Sequence, residues 1–288
     1  MTQPVDAPDF SYASYFSHPF KRALVRAIEK VSGQPKIKRL YDHYRMDLAD
    51  DEAFWAAAVR LLELDVRYDV NRHNEIPSSG PLVIVANHPF GVLDGVIIAW
   101  LASLKRDDFK ILTNSVLLAA PEVEPYLLPV DFAGTKEAMK TNIETRATSI
   151  SHLKDGGCII IFPAGGISTA KRPFTTALDD EWKPFTAKLI SASGASVTPM
   201  FFEGQNSNLF QMASQISLSL RLSLVFREVK RRMGTTVPVH IGQTLTKDDL
   251  ASAGKRAELM MFLRRQTYGL APEKLRRKIE RKDRAIAS

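Results

Sequence analysis

The run Leu82–Ala86 consists of five consecutive apolar residues between Pro81 and Asn87. A run of this kind is typical of a strand that is covered on both faces, as in a parallel sheet. Further strand-like runs occupy residues 66–70, 110–113, 127–130, 158–162, 197–202 and 237–241. Helical patterns separate them, at residues 95–105, 136–153 and 182–193. This alternation predicts an α/β fold, in which a largely parallel mixed sheet is flanked by helices.

The first 64 residues differ from the rest because their apolar residues follow helical spacing. Between residues 19 and 32, one side of the predicted helix carries Phe20, Leu24, Ala27, Ile28 and Val31. Residues 37–48 and 54–62 repeat the pattern. We therefore expect an N-terminal amphipathic helical region, residues 1–64, ahead of an α/β core at residues 65–245. Two interpretations of the first helix stay open: packing against the core, or insertion of its apolar face into a membrane interface.

The C-terminal part, residues 246–288, is predicted to form basic helices. Thr246 and Asp249 have the spacing of a capping box. The helix that follows this box carries the apolar residues Leu250, Ala257, Met260, Met261 and Leu263. Residues 275–284 read as a basic helix with little apolar surface. Upstream of this part, residues 218–226 fit either a strand or a helix.

Composition excludes several classes of protein. With 288 residues, of which 45% are hydrophobic, the chain can bury a sizeable core. Its apolar stretches are interrupted well before the roughly 20 residues that a membrane-spanning helix needs. No secretory signal is evident, so we expect a cytoplasmic protein. Cys158 is the single cysteine, which excludes an internal disulfide and a cysteine-built metal site, and the histidines lack metal-ligand spacing, so no metal is expected.

Charge is distributed unevenly along the chain. The net charge is +7, and residues 227–288 hold 16 Lys and Arg against 7 Asp and Glu. Such a region suits nucleic acid, anionic lipid or an acidic protein partner, or is simply a solvated helix face. Because no nucleic-acid-binding motif accompanies these charges, we expect no nucleic-acid partner.

Polar residues gather where two of the predicted strands end. Asn87 and His88 follow the first strand, and Asp94 follows a Pro- and Gly-containing turn, near the start of the next helix. One interpretation is that Asn87 and Asp94 only cap the turn and the helix; the other is that His88 and Asp94 form a functional pair. The carboxyl ends of parallel strands are where sites form in α/β proteins, which favours the second interpretation.

The loop after residues 158–162 carries glycines, hydroxyls and cations. Gly165 and Gly166 can bring backbone N–H groups close to a ligand and form an oxyanion or anion site. Lys171 and Arg172 are candidates for holding a charged headgroup. The Walker pattern and the Gly-x-Ser-x-Gly pattern are both absent from the chain, which disfavours a P-loop nucleotidase and a serine hydrolase.

The ordered blocks of the sequence resemble those of the PlsC-like glycerolipid acyltransferases, a family of lysophospholipid acyltransferases. The blocks are Asn87-His88, Phe162-Pro163-Ala164-Gly165 and Val197-Thr198-Pro199-Met200, within residues 66–245. The resemblance implies that His88 is the general base for an acceptor hydroxyl, that Asp94 orients it, and that Gly165 and Gly166 meet the acyl carbonyl. It also implies an acyl thioester, on acyl carrier protein or coenzyme A, as co-substrate, with no further cofactor.

The sequence departs from the family pattern in ways that bear on the acceptor. Five residues instead of four separate His88 from Asp94, and the block at residues 162–167 lacks the Glu and Arg of Phe-Pro-Glu-Gly-Thr-Arg. An arginine is also missing from residues 128–131. In relatives these groups contact a phosphate, so their loss indicates another headgroup.

The altered blocks, together with Glu203-Gly204-Gln205-Asn206, resemble the hemolysin-like branch, which includes ornithine-lipid O-acyltransferases. The expected acceptor is then a lyso-ornithine lipid or a related lyso-aminolipid. Ser168, Lys171 and Arg172 would contact its headgroup, with a cation on the carboxylate, and Glu203 would meet the amine.

Two alternatives remain beside this reading. One is a lysophosphatidate (1-acylglycerol-3-phosphate) acyltransferase, and the other is a non-catalytic, membrane lipid-binding protein. In each case the expected location is the cytoplasm, peripherally on the inner face of the cell membrane. The basic C-terminal region suits acidic acyl carrier protein and anionic lipid equally.

Overall fold

A seven-stranded sheet forms the centre of the computed structural model, which describes residues 11–114, 120–131 and 135–279. The strands are β1 (Asp65–Arg67), β2 (Leu82–Ala86), β3 (Phe109–Asn114), β4 (Leu127–Val130), β5 (Cys158–Ile161), β6 (Ser196–Phe202) and β7 (Thr236–Ile241). Their order is β1-β7-β6-β2-β5-β3-β4. Neighbouring strands are parallel except β6 and β7, which are antiparallel. The predicted mixed, largely parallel sheet is confirmed.

Helices cover both faces of this sheet. They are α1 (Pro19–Ser32), α2 (Gln34–Asp47), α3 (Phe54–Leu61), α4 (Val70–Asn74), α5 (Val92–Ser103), α6 (Lys136–Lys154), α7 (Phe185–Ser193), α8 (Asn208–Ile216), α9 (Leu218–Ser223), α10 (Val225–Arg232), α11 (Lys247–Ala251) and α12 (Arg256–Gly269). No helix of the described residues is long and apolar enough to cross a membrane.

Alternate residues of β2 pack into two separate cores, as expected for a strand at the centre of a three-layer fold. Leu82 and Ile84 belong to the core that includes residues of α3, α5 and α10. Val83 and Val85 belong to the core that includes residues of α7 and α12. This burial on both faces explains why the strand needs an uninterrupted apolar sequence.

The predicted N-terminal helices are present and mostly pack onto the sheet's helices. α3 packs against α5, and α2 packs against α10. α1 contacts α9 and α10 through the side that carries Val25 and Glu29, so Phe20 and Val31 remain 69% and 84% exposed. The division at residues 64 and 245 stays a prediction.

Several element boundaries differ from prediction, among them that of the helix predicted at residues 95–105, which is α5 (Val92–Ser103); two of these differences have clear local reasons. The strand predicted at residues 66–70 ends at Arg67, because the Asp69 carboxylate accepts the N–H groups of Asn71 and Arg72 and caps α4 instead. The helix predicted from residue 182 begins only at Phe185, directly after Pro184.

The C-terminal region also differs in part. Residues 218–226 are helical, as α9 and the start of α10. The capping box of Thr246 and Asp249 is confirmed, but it opens only α11. Gly254, with φ of +90°, separates this helix from α12. Residues 273–279 are helical, which includes the predicted basic helix from residue 275 to 279, and its remainder lies outside the described residues.

Candidate functional site

Three loops meet at one edge of the sheet. β2 lies between β5 and β6 and runs parallel to both, so the three strands end on the same side. His88 follows β2 by two residues, and Phe162 follows β5 directly. Their rings stack, with centroids 4.1 Å apart and planes inclined by 26°. This edge of the sheet therefore brings together the sequence blocks at residues 87–88 and 162–165.

His88 and Asp94 form a close pair despite the extra residue between them. His88 Nδ1 lies 3.0 Å from Asp94 Oδ2, and the same oxygen accepts the N–H groups of Phe90 and Gly91 at 2.8 and 2.9 Å. Gly91, with φ of +78°, caps α5 and turns the chain sharply enough to absorb the additional residue. Asp94 thus reaches the ring from the first turn of the helix.

The surroundings of this pair set its protonation pattern. Full burial raises the pKa of the Asp94 carboxyl, while the His88 ring and the N–H groups of Phe90 and Gly91 oppose that rise. When Asp94 is ionised its carboxylate only accepts hydrogen bonds, so the proton of a neutral His88 ring would stand on Nδ1 and the lone pair on Nε2. The His88 side chain is 18% exposed. A His–carboxylate pair with this geometry can take a proton from a bound hydroxyl.

Asn87 has a structural role at this edge of the sheet. Its amide donates to the carbonyl of Phe202 at 2.9 Å and accepts the Phe202 N–H at 2.7 Å. These two bonds continue the pairing of β2 with β6 beyond the end of the strand. The interpretation of Asn87 as a structural tie is thereby supported, independently of the role of His88.

The glycine loop lies directly against the turn of His88. The Gly165 N–H donates to the Phe162 carbonyl at 2.9 Å, so it closes the loop's own turn. A Cβ atom on Gly166 would meet nothing within 4 Å, and Gly166 lines the adjoining cavity. Of the two predicted glycines, Gly166 is the one placed to offer its N–H to a ligand.

A second buried carboxylate, which the sequence interpretation missed, lies behind His88. Asp179 accepts the His88 backbone N–H at 3.2 Å, the Ser168 hydroxyl at 2.5 Å and the Trp182 indole N–H at 2.9 Å. Burial raises the pKa of its carboxyl, and these donors oppose the rise. In the sequence Asp179 stands in the acidic run Asp179-Asp180-Glu181, which has no signal that distinguishes it from a surface loop.

Of the residues predicted to hold a headgroup, Ser168 adjoins His88, because its N–H donates to the His88 carbonyl at 2.8 Å, but the set does not gather around the His88 ring. The Ser168 hydroxyl is buried against Asp179. Lys171 and Arg172 are exposed, and Glu203 lies 3.2 Å from His240. None of these four residues lines the apolar cavity that adjoins His88. Their headgroup role stays a prediction.

An apolar cavity of about 550 Å³ opens at His88 and extends between the helices. Its walls include Trp55, Val92, Val96, Ile111, Leu127 and Phe226. Among the described residues that line it, the permanently charged side chains are Lys183 and Arg221, and there is no Asp or Glu. The size is within the range of ligand sites, and the mostly apolar lining suits an alkyl chain.

The described residues hold no cluster of three or more His, Cys, Asp or Glu side chains that would bind a metal ion. The titratable groups in contact with His88 are instead carboxylates that act through hydrogen bonds. The site thus combines a His–carboxylate pair with an apolar cavity.

Comparison with known proteins shows what this chain is similar to. A family model described as acyltransferase matches residues 41–274. Two curated proteins named lyso-glycine lipid O-acyltransferase are similar: that of Phocaeicola vulgatus is 25% identical over 216 residues, 72% of this chain and 74% of its own. That of Bacteroides thetaiotaomicron is 27% identical over 200 residues, 68% and 69% of the two chains.

A solved structure shares the fold. The 1-acyl-sn-glycerophosphate acyltransferase PlsC from Thermotoga maritima superposes with a TM-score of 0.50, covers 87% of each chain and is 16% identical. At that identity the likeness concerns the fold alone.

Proposed function

This chain belongs to the acyltransferase family, and from that premise we propose that it transfers a fatty acyl group from an acyl thioester to the hydroxyl of a lysolipid. The observation that carries the proposal is the apolar cavity that ends at the His88–Asp94 pair. A cavity of this kind positions an acyl chain so that its reactive end meets the base.

The proposed reaction follows from the protonation pattern of the pair. His88 Nε2 takes the proton of the acceptor hydroxyl as the oxygen attacks the thioester carbonyl, and Asp94 stabilises the imidazolium that forms. The Gly166 N–H stabilises the oxyanion of the tetrahedral intermediate. When the C–S bond breaks, the imidazolium returns the proton to the thiolate, so the products are an ester and a free thiol.

The acceptor that we propose is a lysolipid with an amino-acid headgroup, and a glycine headgroup before an ornithine one. Two relatives are named for a lyso-glycine lipid. A glycine headgroup joined through its nitrogen leaves one carboxylate and no amine, so it needs no acidic partner, and the described residues that line the cavity include no Asp or Glu. Ornithine adds an amine, whose predicted partner Glu203 lies outside that lining, beside His240.

The acceptor is tested by presenting the purified protein with lyso-glycine lipid, lyso-ornithine lipid and lysophosphatidate of the same chain length. Each acceptor is paired with acyl-coenzyme A and with acyl carrier protein loaded with the same acyl group. We expect the highest kcat/KM for lyso-glycine lipid. A clear preference for lysophosphatidate would overturn the proposed headgroup, and the donor comparison identifies the carrier.

The role of His88 is tested by replacing it with alanine. We expect His88→Ala to lower kcat by about 10²- to 10⁴-fold, the usual contribution of a general base. Asp94→Asn should also lower kcat, because an amide can donate to Nδ1 and stabilise the wrong tautomer. Circular dichroism of both variants controls for folding. Undiminished acylation in His88→Ala would contradict the general-base role, and no acylation by the wild type would favour a lipid-binding protein.

We further propose that the protein binds the membrane surface through the exposed apolar face of α1. Phe20, Leu24 and Val31 line that face, and basic residues flank it at Lys21, Arg22, Arg26 and Lys30. α1 packs on α9, which packs on α8, where Leu209, Met212 and Ile216 are also exposed. An apolar stripe with a basic border is the pattern of an interfacial helix.

Flotation with vesicles of anionic phospholipid tests this surface. Phe20→Ser with Val31→Ser should lower the bound fraction several-fold. Met139→Ser is the matched control, because Met139 is 60% exposed on α6, apart from α1. Equal binding of the double variant and the control would show that another surface, such as the basic C-terminal region, holds the lipid.

A further inference from the structure

We propose that Asp179 is a positioning residue, a second buried carboxylate that holds the backbone of His88 in place and stabilises its protonated ring during acyl transfer. The proposal rests on the proposed function of His88 as the base. Asp179 is not one of the described residues that line the cavity, so it acts through His88 and not on a ligand.

The first support is the way in which the backbone of His88 is held. Its N–H donates to Asp179 Oδ1, and its carbonyl accepts the Ser168 N–H at 2.8 Å. The Ser168 hydroxyl donates to the same Asp179 oxygen. His88 and the loop that carries Gly166 are thus joined through one carboxylate, which fixes the base relative to the proposed oxyanion donor.

The second support is that Asp179 is itself firmly held. Its other carboxylate oxygen accepts the Trp182 indole N–H, and its backbone N–H donates to the Tyr268 hydroxyl at 2.9 Å. Tyr268 belongs to α12, more than eighty residues away in the chain. A group anchored from this distance is preorganised, as positioning residues require.

The third support is charge. Among the salt bridges of the described residues none involves Asp179, and its partners are neutral donors. A buried carboxylate without a cation is costly unless an opposite charge arises nearby. The imidazolium of His88, which forms when the acceptor hydroxyl loses its proton, supplies that charge.

Several other charged groups share the electrostatic environment of His88. Asp94 on α5 contacts the ring directly. Lys183 lines the cavity beside it. Arg232 on α10 stacks over Phe90 at 4.2 Å and interacts electrostatically with Asp94. The negative charges of Asp94 and Asp179 therefore balance the positive charges of these cations. In a variant without Asp179, Asp94 would be the one carboxylate of this pair that remains.

The test is a titration of the His88 imidazole by NMR in the wild type, Asp179→Asn and Asp180→Asn, with His88→Ala to assign the signal. Loss of the Asp179 charge should move the titration midpoint of His88 to lower pH by about one unit, a tenfold change in proton affinity. Asp180→Asn removes the neighbouring carboxylate, which is exposed to solvent, and should leave the midpoint in place. This measurement needs no lipid, so its result does not depend on whether the proposed acceptor is correct.

The kinetic arm uses whichever acceptor the wild type acylates. Asp179→Asn should lower kcat about tenfold, leave KM unchanged and move the acidic limb of the kcat profile to lower pH. Asp179→Ser serves as a second variant if the amide does not fold. An unchanged midpoint in a folded variant would overturn the proposal. So would the failure of both variants to fold, because Asp179 would then be needed for the fold itself.

Discussion

Gly91 is the residue on which the geometry of the His88–Asp94 pair depends. Its φ of +78° disfavours any side chain, and a Cβ atom there would lie 2.7 Å from Ile167 Cδ1. Ile167 directly follows Gly166 in the glycine loop. The absence of a side chain at Gly91 therefore allows the turn after β2 and the loop after β5 to touch.

Gly91→Ala is expected to destabilise the protein by about 2 to 4 kcal/mol, since it combines backbone strain with overpacking. Gly80→Ala is the matched control: Gly80 has φ of +80°, but a Cβ atom there meets nothing within 4 Å. It should cost only about 1 to 2 kcal/mol. Urea unfolding gives both values. Equal losses in the two variants would show that contact with Ile167 is unimportant.

Among the elements, α5 has two roles at the site. Its first turn carries Asp94, and its residues Val92, Leu93 and Val96 line the cavity. Gly95 lies on the cavity side, where a Cβ atom would meet nothing within 4 Å. The helix thus leaves space for a ligand beside the residue that orients the base.

Gly95→Leu is expected to fill part of the cavity and to select for shorter acyl chains. With a hexadecanoyl donor kcat/KM should fall about tenfold relative to a dodecanoyl donor, as overpacking of roughly 1.4 kcal/mol implies. Gly95→Ala adds little volume and should keep the wild-type ratio. An unchanged ratio in Gly95→Leu would mean that the acyl chain lies elsewhere.

For the whole molecule, Arg106 joins the segments at the end of the sheet opposite His88. Its guanidinium donates to the carbonyls of Pro77, Gly80 and Gly156 and forms two bonds of 2.7 Å with Asp108. These segments lead into β2, β3 and β5. One buried side chain thus aligns the beginnings of the strands whose ends carry the site.

Arg106→Met is expected to lower the free energy of unfolding by about 3 kcal/mol, because buried carbonyls lose their donor. Asp108→Asn should cost less, about 1 kcal/mol, since Asp108 is 46% exposed. Urea unfolding measures both, with kcat at low temperature as the control for the distant site. A loss in Arg106→Met no larger than in Asp108→Asn would contradict the carbonyl contacts.

The same pair predicts a pH dependence. The Arg106 guanidinium holds the pKa of Asp108 below its usual range. A carboxyl whose pKa is lower in the folded state stabilises the protein above its unfolded pKa of about 3.9. That contribution is lost as pH falls through the lower folded value. The advantage of the wild type over Asp108→Asn should therefore be constant near neutral pH and vanish in acid.

The amino-acid sequence alone predicts the central strands and the pairing of His88 with Asp94. β2, a central strand, matches its predicted bounds, because a strand that is buried on both faces needs an uninterrupted apolar run. β4, at the edge of the sheet, also matches its predicted bounds. His88 and Asp94 lie six residues apart, so one local turn decides their contact. Features of this kind depend on residues that are close together in the chain, so the local sequence pattern indicates them.

Only the tertiary structure decided what surrounds that pair. Asp179 reaches the His88 backbone from a distant loop, and Tyr268 reaches Asp179 from α12. Trp55 reaches the cavity from the N-terminal region. The apolar stripe of α1 was evident from its spacing, but its exposure follows from Val25 and Glu29 packing inward instead. Hydrophobic periodicity identifies a face and leaves its partner open, because burial is non-directional and depends on which surfaces the folded chain brings together.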